Sequence, residues 1–259
     1  MTWTTRQRSD FGSLSAVKAG SGPNLLMVHG VGLRAEAWNA QIDALSEQYR
    51  VIAVDMPGHG ESLLPSGPLA LSDYTDAIAA GLDGPAVLIG HSMGAMIVLD
   101  MAVRHPHLVR GVVAMNAIFQ RSDSAIRAVQ ARAAELDGKT VADPMLTLSR
   151  WFGNVPSPER EACKMWLTTV NPAAYRTAYT VFANETGPTA KALSNLPCPA
   201  LFMTGREEPN STPAMSEAMA ALAPKGRALI IENAAHMMPM THADEVNTAL
   251  LAFAEEADK

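Results

Sequence analysis

Apolar residues follow two rhythms along this chain. Short, nearly continuous apolar runs bounded by turn residues alternate with stretches in which apolar positions recur every third or fourth residue. That alternation predicts an α/β architecture, a mostly parallel sheet flanked by helices. The first run, Asn24 to Val28, stops at His29-Gly30-Val31-Gly32, and the second, Val51 to Asp55, ends in Met56-Pro57-Gly58-His59-Gly60-Glu61-Ser62. Between them Trp38, Ile42, Leu45 and Tyr49 mark one face of a helix over Ala35 to Tyr49. Pro85 to Ile89 leads through Gly90-His91-Ser92-Met93-Gly94 into an apolar helix over Ala95 to Val103, which His105-Pro106 terminates, and Gly111 to Ala114 forms the next strand.

The rhythm then changes. From about Phe119 to Leu196 no strand pattern occurs, while Ser122-Asp123, Ser157-Pro158-Glu159 and Asn171-Pro172 each pair an N-cap residue with proline or an acid in the first turn. This interval reads as a helical insertion. Strand patterns return at Pro199 to Thr204 and Arg227 to Ile231, and an amphipathic helix over Ala243 to Glu255 closes the chain. The expected organisation is a core built from residues 1–118 and 197–259, with residues 119–196 inserted into it.

Composition narrows the classes of function. Across 259 residues, 48% are hydrophobic and 18% charged, as in a compact globular protein rather than a disordered chain. Twenty basic against 26 acidic residues, a net charge of -6, supply no electrostatic reason to bind nucleic acid or an anionic membrane. The polar start from Met1 to Asp10 lacks the apolar run of a secretory signal, and no apolar stretch is long enough to span a bilayer. Cys163 and Cys198 make one disulfide at most, and reduced thiols in a cytoplasmic protein are the expectation. Fifteen methionines against 5% aromatic residues are unusual, and two roles are open to them: lining an adaptable apolar pocket or filling gaps in the core.

The chemistry concentrates at Gly90-His91-Ser92-Met93-Gly94. A Gly-x-Ser-x-Gly sequence between a strand and a helix forms a turn tight enough to need flanking glycines, and it projects the serine hydroxyl above the sheet. Serine needs a base, and His236, on a loop after the last strand, is the candidate among seven histidines. His29 and His59 lie in Gly-rich turns suited to holding loop geometry, His91 should point away from the hydroxyl, and His242 stands beside the last helix. Chain order Ser, acid, His places an acid for the base in Arg206-Glu207-Glu208, where the two glutamates compete, while Asn116 offers only an amide at the other topological opening.

In this order the chain resembles the α/β-hydrolase family over essentially its whole length, closest to 3-oxoadipate enol-lactonases and small carboxylesterases. The resemblance carries His29-Gly30-Val31 over as the oxyanion loop, Ser92 as nucleophile, Glu208 as acid and His236 as base. Glu208 stands where the family most often has aspartate. It also implies that the insertion is a helical cap roofing the substrate pocket. A serine hydrolase follows, cleaving a carboxylic ester or lactone through an acyl-enzyme, with the N–H groups of Val31 and Met93 as oxyanion hole and no metal or organic cofactor. Two alternatives stand beside it: carbon–carbon bond hydrolysis of ring-cleavage products, and a small-molecule-binding receptor of the same fold with weak activity. Trp151 and Met237 are candidate substrate contacts, with Trp166, Tyr175, Tyr179 and Phe182 as further pocket candidates and Arg206 as a loop cation. The expected partner is a small ester or lactone, and the assembly a monomer or homodimer.

Overall fold

The computed structural model describes residues 3–259; Met1 and Thr2, the first residues of the polar start, lie outside them. Its strands are β1 (Ser9–Phe11), β2 (Leu14–Ala19), β3 (Asn24–Val28), β4 (Arg50–Val54), β5 (Ala86–His91), β6 (Val109–Met115), β7 (Ala200–Gly205) and β8 (Gly226–Ile231). They form one sheet in the order β1-β2-β4-β3-β5-β6-β7-β8. From β4 to β8 every pairing is parallel, whereas β1 pairs with β2 and β2 with β4 antiparallel. The six predicted runs are all strands. The N-terminal hairpin was not foreseen, because β1 and β2 sit at the sheet edge, where polar Ser9, Asp10, Ser15 and Lys18 interrupt the apolar signal.

Parallel strands read as continuous apolar runs because both faces of the sheet are covered. Alternate residues supply two separate cores. Leu26, Val28, Leu88, Val112 and Phe202 face one side, packing with α2 (Leu71–Ala79), α3 (Met93–Arg104) and α9 (Pro213–Leu222). Leu25, Met27, Val87, Ile89, Val113 and Met203 face the other, against α1 (Asn39–Leu45) and α11 (Ala243–Ala257). The helix predicted over Ala35 to Tyr49 divides into a 3-10 turn at Ala35–Trp38 followed by α1, yet Trp38, Ile42, Leu45 and Tyr49 are all buried as the spacing required.

Between β6 and β7 lie α4 (Asp123–Ala134), α5 (Met145–Phe152), α6 (Pro158–Thr169), α7 (Pro172–Asn184) and α8 (Ala190–Ser194). The three predicted helix starts are real caps. Ser122 Oγ accepts from the Ala125 N–H, Ser157 Oγ from the Arg160 N–H, and Asn171 Oδ1 from the N–H groups of Ala173 and Ala174. A third apolar cluster joins this insertion to the sheet domain, combining Leu148, Cys163, Trp166 and Leu167 with Leu33, Ala37, Met237 and Met240, the last within α10 (Met238–Thr241). Both cysteines are free and buried. Among the described residues no helix is long and apolar enough to cross a membrane.

Candidate active site

Strand β5 delivers Ser92 and α3 begins directly after it, so the chain must reverse within one residue. Ser92 takes φ +58° and ψ -118°, a region that L side chains avoid and that costs about 1–3 kcal/mol. Its neighbours allow the turn only because they lack side chains. A Cβ on Gly94 would lie 2.0 Å from the Val28 carbonyl oxygen, and one on Gly90 would lie 2.2 Å from the Gly94 carbonyl oxygen. Gly30 is held equally close, since its Cβ would lie 3.0 Å from Ser92 Cβ. The loop after β3 therefore lies directly against the serine.

His236, on the loop after β8, has Nδ1 2.7 Å from Glu208 Oε2. The ring proton resides on Nδ1 and Nε2 is left as the free acceptor. Glu208 is buried while Glu207 is exposed, which separates the two adjacent acids. Burial alone would raise the Glu208 carboxyl, but the facing His236 and the N–H groups of Asn210 and Ser211, which donate to Oε1 at 2.8 and 3.3 Å, hold it at about 2. It is a permanent carboxylate at neutral pH.

A polar scaffold beneath the site escaped the sequence reading. His91 Nε2–H and Asn116 Nδ2–H both donate to the His236 carbonyl, at 2.8 and 2.7 Å. Asn116 itself sits at φ +51°, a conformation asparagine tolerates better than most residues. The Thr204 hydroxyl bridges Asn116 Oδ1 (2.8 Å) and the Ser211 carbonyl (2.7 Å) with one proton, so the loops that carry Ser92, Glu208 and His236 share one network. Burial and the nearby His236 push His91 down to about 3, keeping it neutral. His29 and His59 do hold loops together: His29 Nε2 accepts from the Met56 N–H and His59 Nε2 from the Gly32 N–H, both at 3.1 Å.

Ser92 and His236 open onto one cavity of about 460 Å³. Gly30, Val31, Trp151, Tyr175, Tyr179 and Phe182 also line it. Met93, as the first residue of α3, has an N–H without an intrahelical acceptor, and among the described residues no acceptor engages the Val31 N–H. Two expected contacts lie elsewhere. Met237 is not part of the lining; it is 1% exposed in the cluster joining insertion and core, and Trp166 packs in the same cluster. Met93, Met203, Met238 and Met240 are likewise buried in cores, so gap filling accounts for these methionines, while Met215 lines the cavity. Arg206 is exposed and pairs with Glu232, and His242 lies outside the cavity.

Three other arginines enter the cavity wall: Arg121, Arg132 and Arg150. Among the described residues none has a carboxylate within salt-bridge distance. Arg121 instead donates to the carbonyls of Phe182 and Glu185, Arg132 to the Tyr179 hydroxyl and Arg150 to Thr147 Oγ1. Burial lowers Arg121 to about 10, still charged at neutral pH. Nothing in the sequence set Arg132 and Arg150 apart from helix-surface arginines or Arg121 from a loop arginine, because the faces that turn inward depend on how the insertion folds over the sheet.

Sheet order, strained serine turn and facing histidine–carboxylate pair define a hydrolase of the α/β type. The alpha/beta hydrolase family profile matches residues 25–249, and the chain belongs to that family. It is 38% identical to an (E)-2-((N-methylformamido)methylene)succinate hydrolase of Acinetobacter baylyi over 97% of each chain. A pimeloyl-(acyl-carrier protein) methyl ester esterase of Stenotrophomonas maltophilia is 32% identical, over 90% of this chain and 93% of that one. Among solved structures, a thermophilic esterase of Thermogutta terrifontis with malate bound superposes at a TM-score of 0.85 with 25% identity, covering 98% and 100% of the two chains.

Proposed function

We propose that this hydrolase cleaves an acyl–oxygen or acyl–nitrogen bond, that of an ester, lactone or amide, in a small molecule that carries carboxylate groups, and that it does so through an acyl-enzyme on Ser92. The observation that carries the substrate class is the cavity itself: a protein of net charge -6 lines its serine-bearing cavity with three arginines that, among the described residues, have no carboxylate within salt-bridge distance. Arg121 is partly desolvated with no such partner, and an anionic substrate would supply the missing charge with bidentate geometry. The succinate named in the Acinetobacter baylyi relative agrees with this chemistry.

Ser92 Oγ bonds to the substrate carbonyl carbon while His236 Nε2 takes its proton. Glu208 holds the imidazole in the required tautomer and stabilises the cation that forms. The N–H groups of Val31 and Met93 receive the developing oxyanion. The imidazolium then returns its proton to the departing oxygen or nitrogen. Water, deprotonated by His236 in turn, cleaves the acyl-enzyme, releases the acid and restores the Ser92 hydroxyl. The helices of residues 119–196 form the roof that excludes bulk water and carries the arginines.

A panel of esters, lactones and amides, each with and without carboxylate groups, tests both halves. Turnover should fall by at least about 10³-fold in Ser92→Ala. Carboxylate-bearing substrates should have the higher kcat/KM, and Arg132→Gln should lower it for them while sparing a neutral phenyl ester. Full turnover in Ser92→Ala, or a preference for neutral substrates, overturns the reading.

A further inference from the structure

Trp151 was expected to touch substrate, but its position in the fold suits another task. Its indole stacks on the His236 imidazole, ring centroids 5.3 Å apart and planes 20° apart. Helix α5 presents it from the insertion, and Leu148, one turn earlier and fully buried, anchors that helix. A face-on stack leaves the edge of the imidazole free, so Nδ1 keeps its bond to Glu208 and Nε2 keeps its access to the cavity. The His91 ring lies against the same imidazole at 4.8 Å, and as a neutral group it adds no repulsion when His236 becomes charged.

We propose that Trp151 is a positioning residue for His236: its indole face fixes the plane of the imidazole, shields it from water and stabilises the imidazolium formed when Ser92 gives up its proton. The electron-rich face of an indole attracts a cation, most strongly where water is excluded. The helical insertion therefore contributes to the proton-transfer step as well as to the pocket, and an insertion displaced from the core would leave the base misaligned. This rests on the reading of His236 as the base.

Kinetics and fluorescence of Trp151→Phe, Trp151→Leu and His236→Gln test the proposal. Trp151→Leu should lower kcat about threefold to thirtyfold with little change in KM, and Trp151→Phe, which keeps an aromatic face, should recover most of it. A mere pocket contact would raise KM and spare kcat, and that result overturns the proposal. The second measurement needs no turnover. An imidazolium quenches an indole stacked on it, so emission of the substrate-free enzyme should show a titration step that disappears in both Trp151→Phe and His236→Gln. Glu208 and His91, which face the imidazole, and Arg150, which neighbours Trp151 in the cavity wall, are unchanged in every variant. A step that survives His236→Gln reports another group and overturns the proposal. Full turnover in His236→Gln overturns the assignment of the base, an outcome distinct from a normal kcat in Trp151→Leu.

Discussion

Ser92 and Glu208 each achieve their geometry through their immediate neighbours. The serine occupies a backbone region that glycine would adopt more easily, held there by β5 and α3 on either side and by a hydrogen bond from its N–H to the Met115 carbonyl at 2.9 Å. Glu208 is one methylene longer than the aspartate common in this family, and its loop adapts by supplying two backbone N–H groups to the oxygen that does not face His236. Glu207, a single residue away, points to solvent. Glu208→Gln should therefore lower kcat by about 10²-fold to 10⁴-fold, since an amide neither stabilises the imidazolium nor selects its tautomer, while Glu207→Gln should match wild type. Steady-state rates on one activated ester check both, and the reverse pattern would reassign the acid. From the residues alone the pair 207/208 could be located but not resolved, because burial is a property of the folded loop.

Among the elements, the loop between β3 and α1 depends on a contact with no signature in the sequence. Arg8, in the segment before β1, sends Nη1 and Nη2 to the two oxygens of Glu36 at 2.7 Å each and Nε to Asp55 Oδ2 at 2.6 Å. All three side chains are at most 5% exposed. Asp55 also accepts from the N–H groups of Ala35 and Glu61, so one buried ionic cluster ties the N-terminal segment to the loop that carries Val31. Arg8→Met would leave buried Asp55 without a cation and buried Glu36 with Arg34 alone, at a cost of about 3–5 kcal/mol. Scanning calorimetry should show a markedly lower Tm, and a Tm within a degree or two of wild type would refute the role given to the cluster. The helix caps of the insertion were legible because capping is local, a matter of three or four consecutive residues. Arg8, Glu36 and Asp55 were not, because only the closed sheet brings them together.

For the molecule as a whole, acid stability follows from groups buried in fixed protonation states. Burial holds His29 below its ordinary 6.5, and His59 and His91 at about 3, so unfolding lets all three take up protons as pH falls below 6.5. Glu36 and Glu208 sit at about 2 in the fold against an ordinary 4.5, so the unfolded chain binds their protons first between pH 4.5 and 2. Both sets act in one direction. Stability should begin to decline near pH 6.5, on account of the histidines, and fall more steeply below 4.5, and urea midpoints at pH 7, 5.5 and 4 measure it. An unchanged midpoint between pH 7 and 5.5 would contradict the buried neutral histidines. The linear order of apolar runs and turns by itself determined the parallel sheet, the serine turn, the loop that carries His236 and the place of the helical insertion, because those features depend on periodicity and on neighbours a few residues apart. Which glutamate meets His236, that Asn116 and His91 hold its carbonyl, that Met93, Met203, Met237, Met238 and Met240 fill cores, and that three arginines and Trp151 turn toward the cavity were decided only by the tertiary structure. Each depends on which face of a helix or loop the packing turns inward, and that is a collective outcome of burying apolar surface across the whole chain.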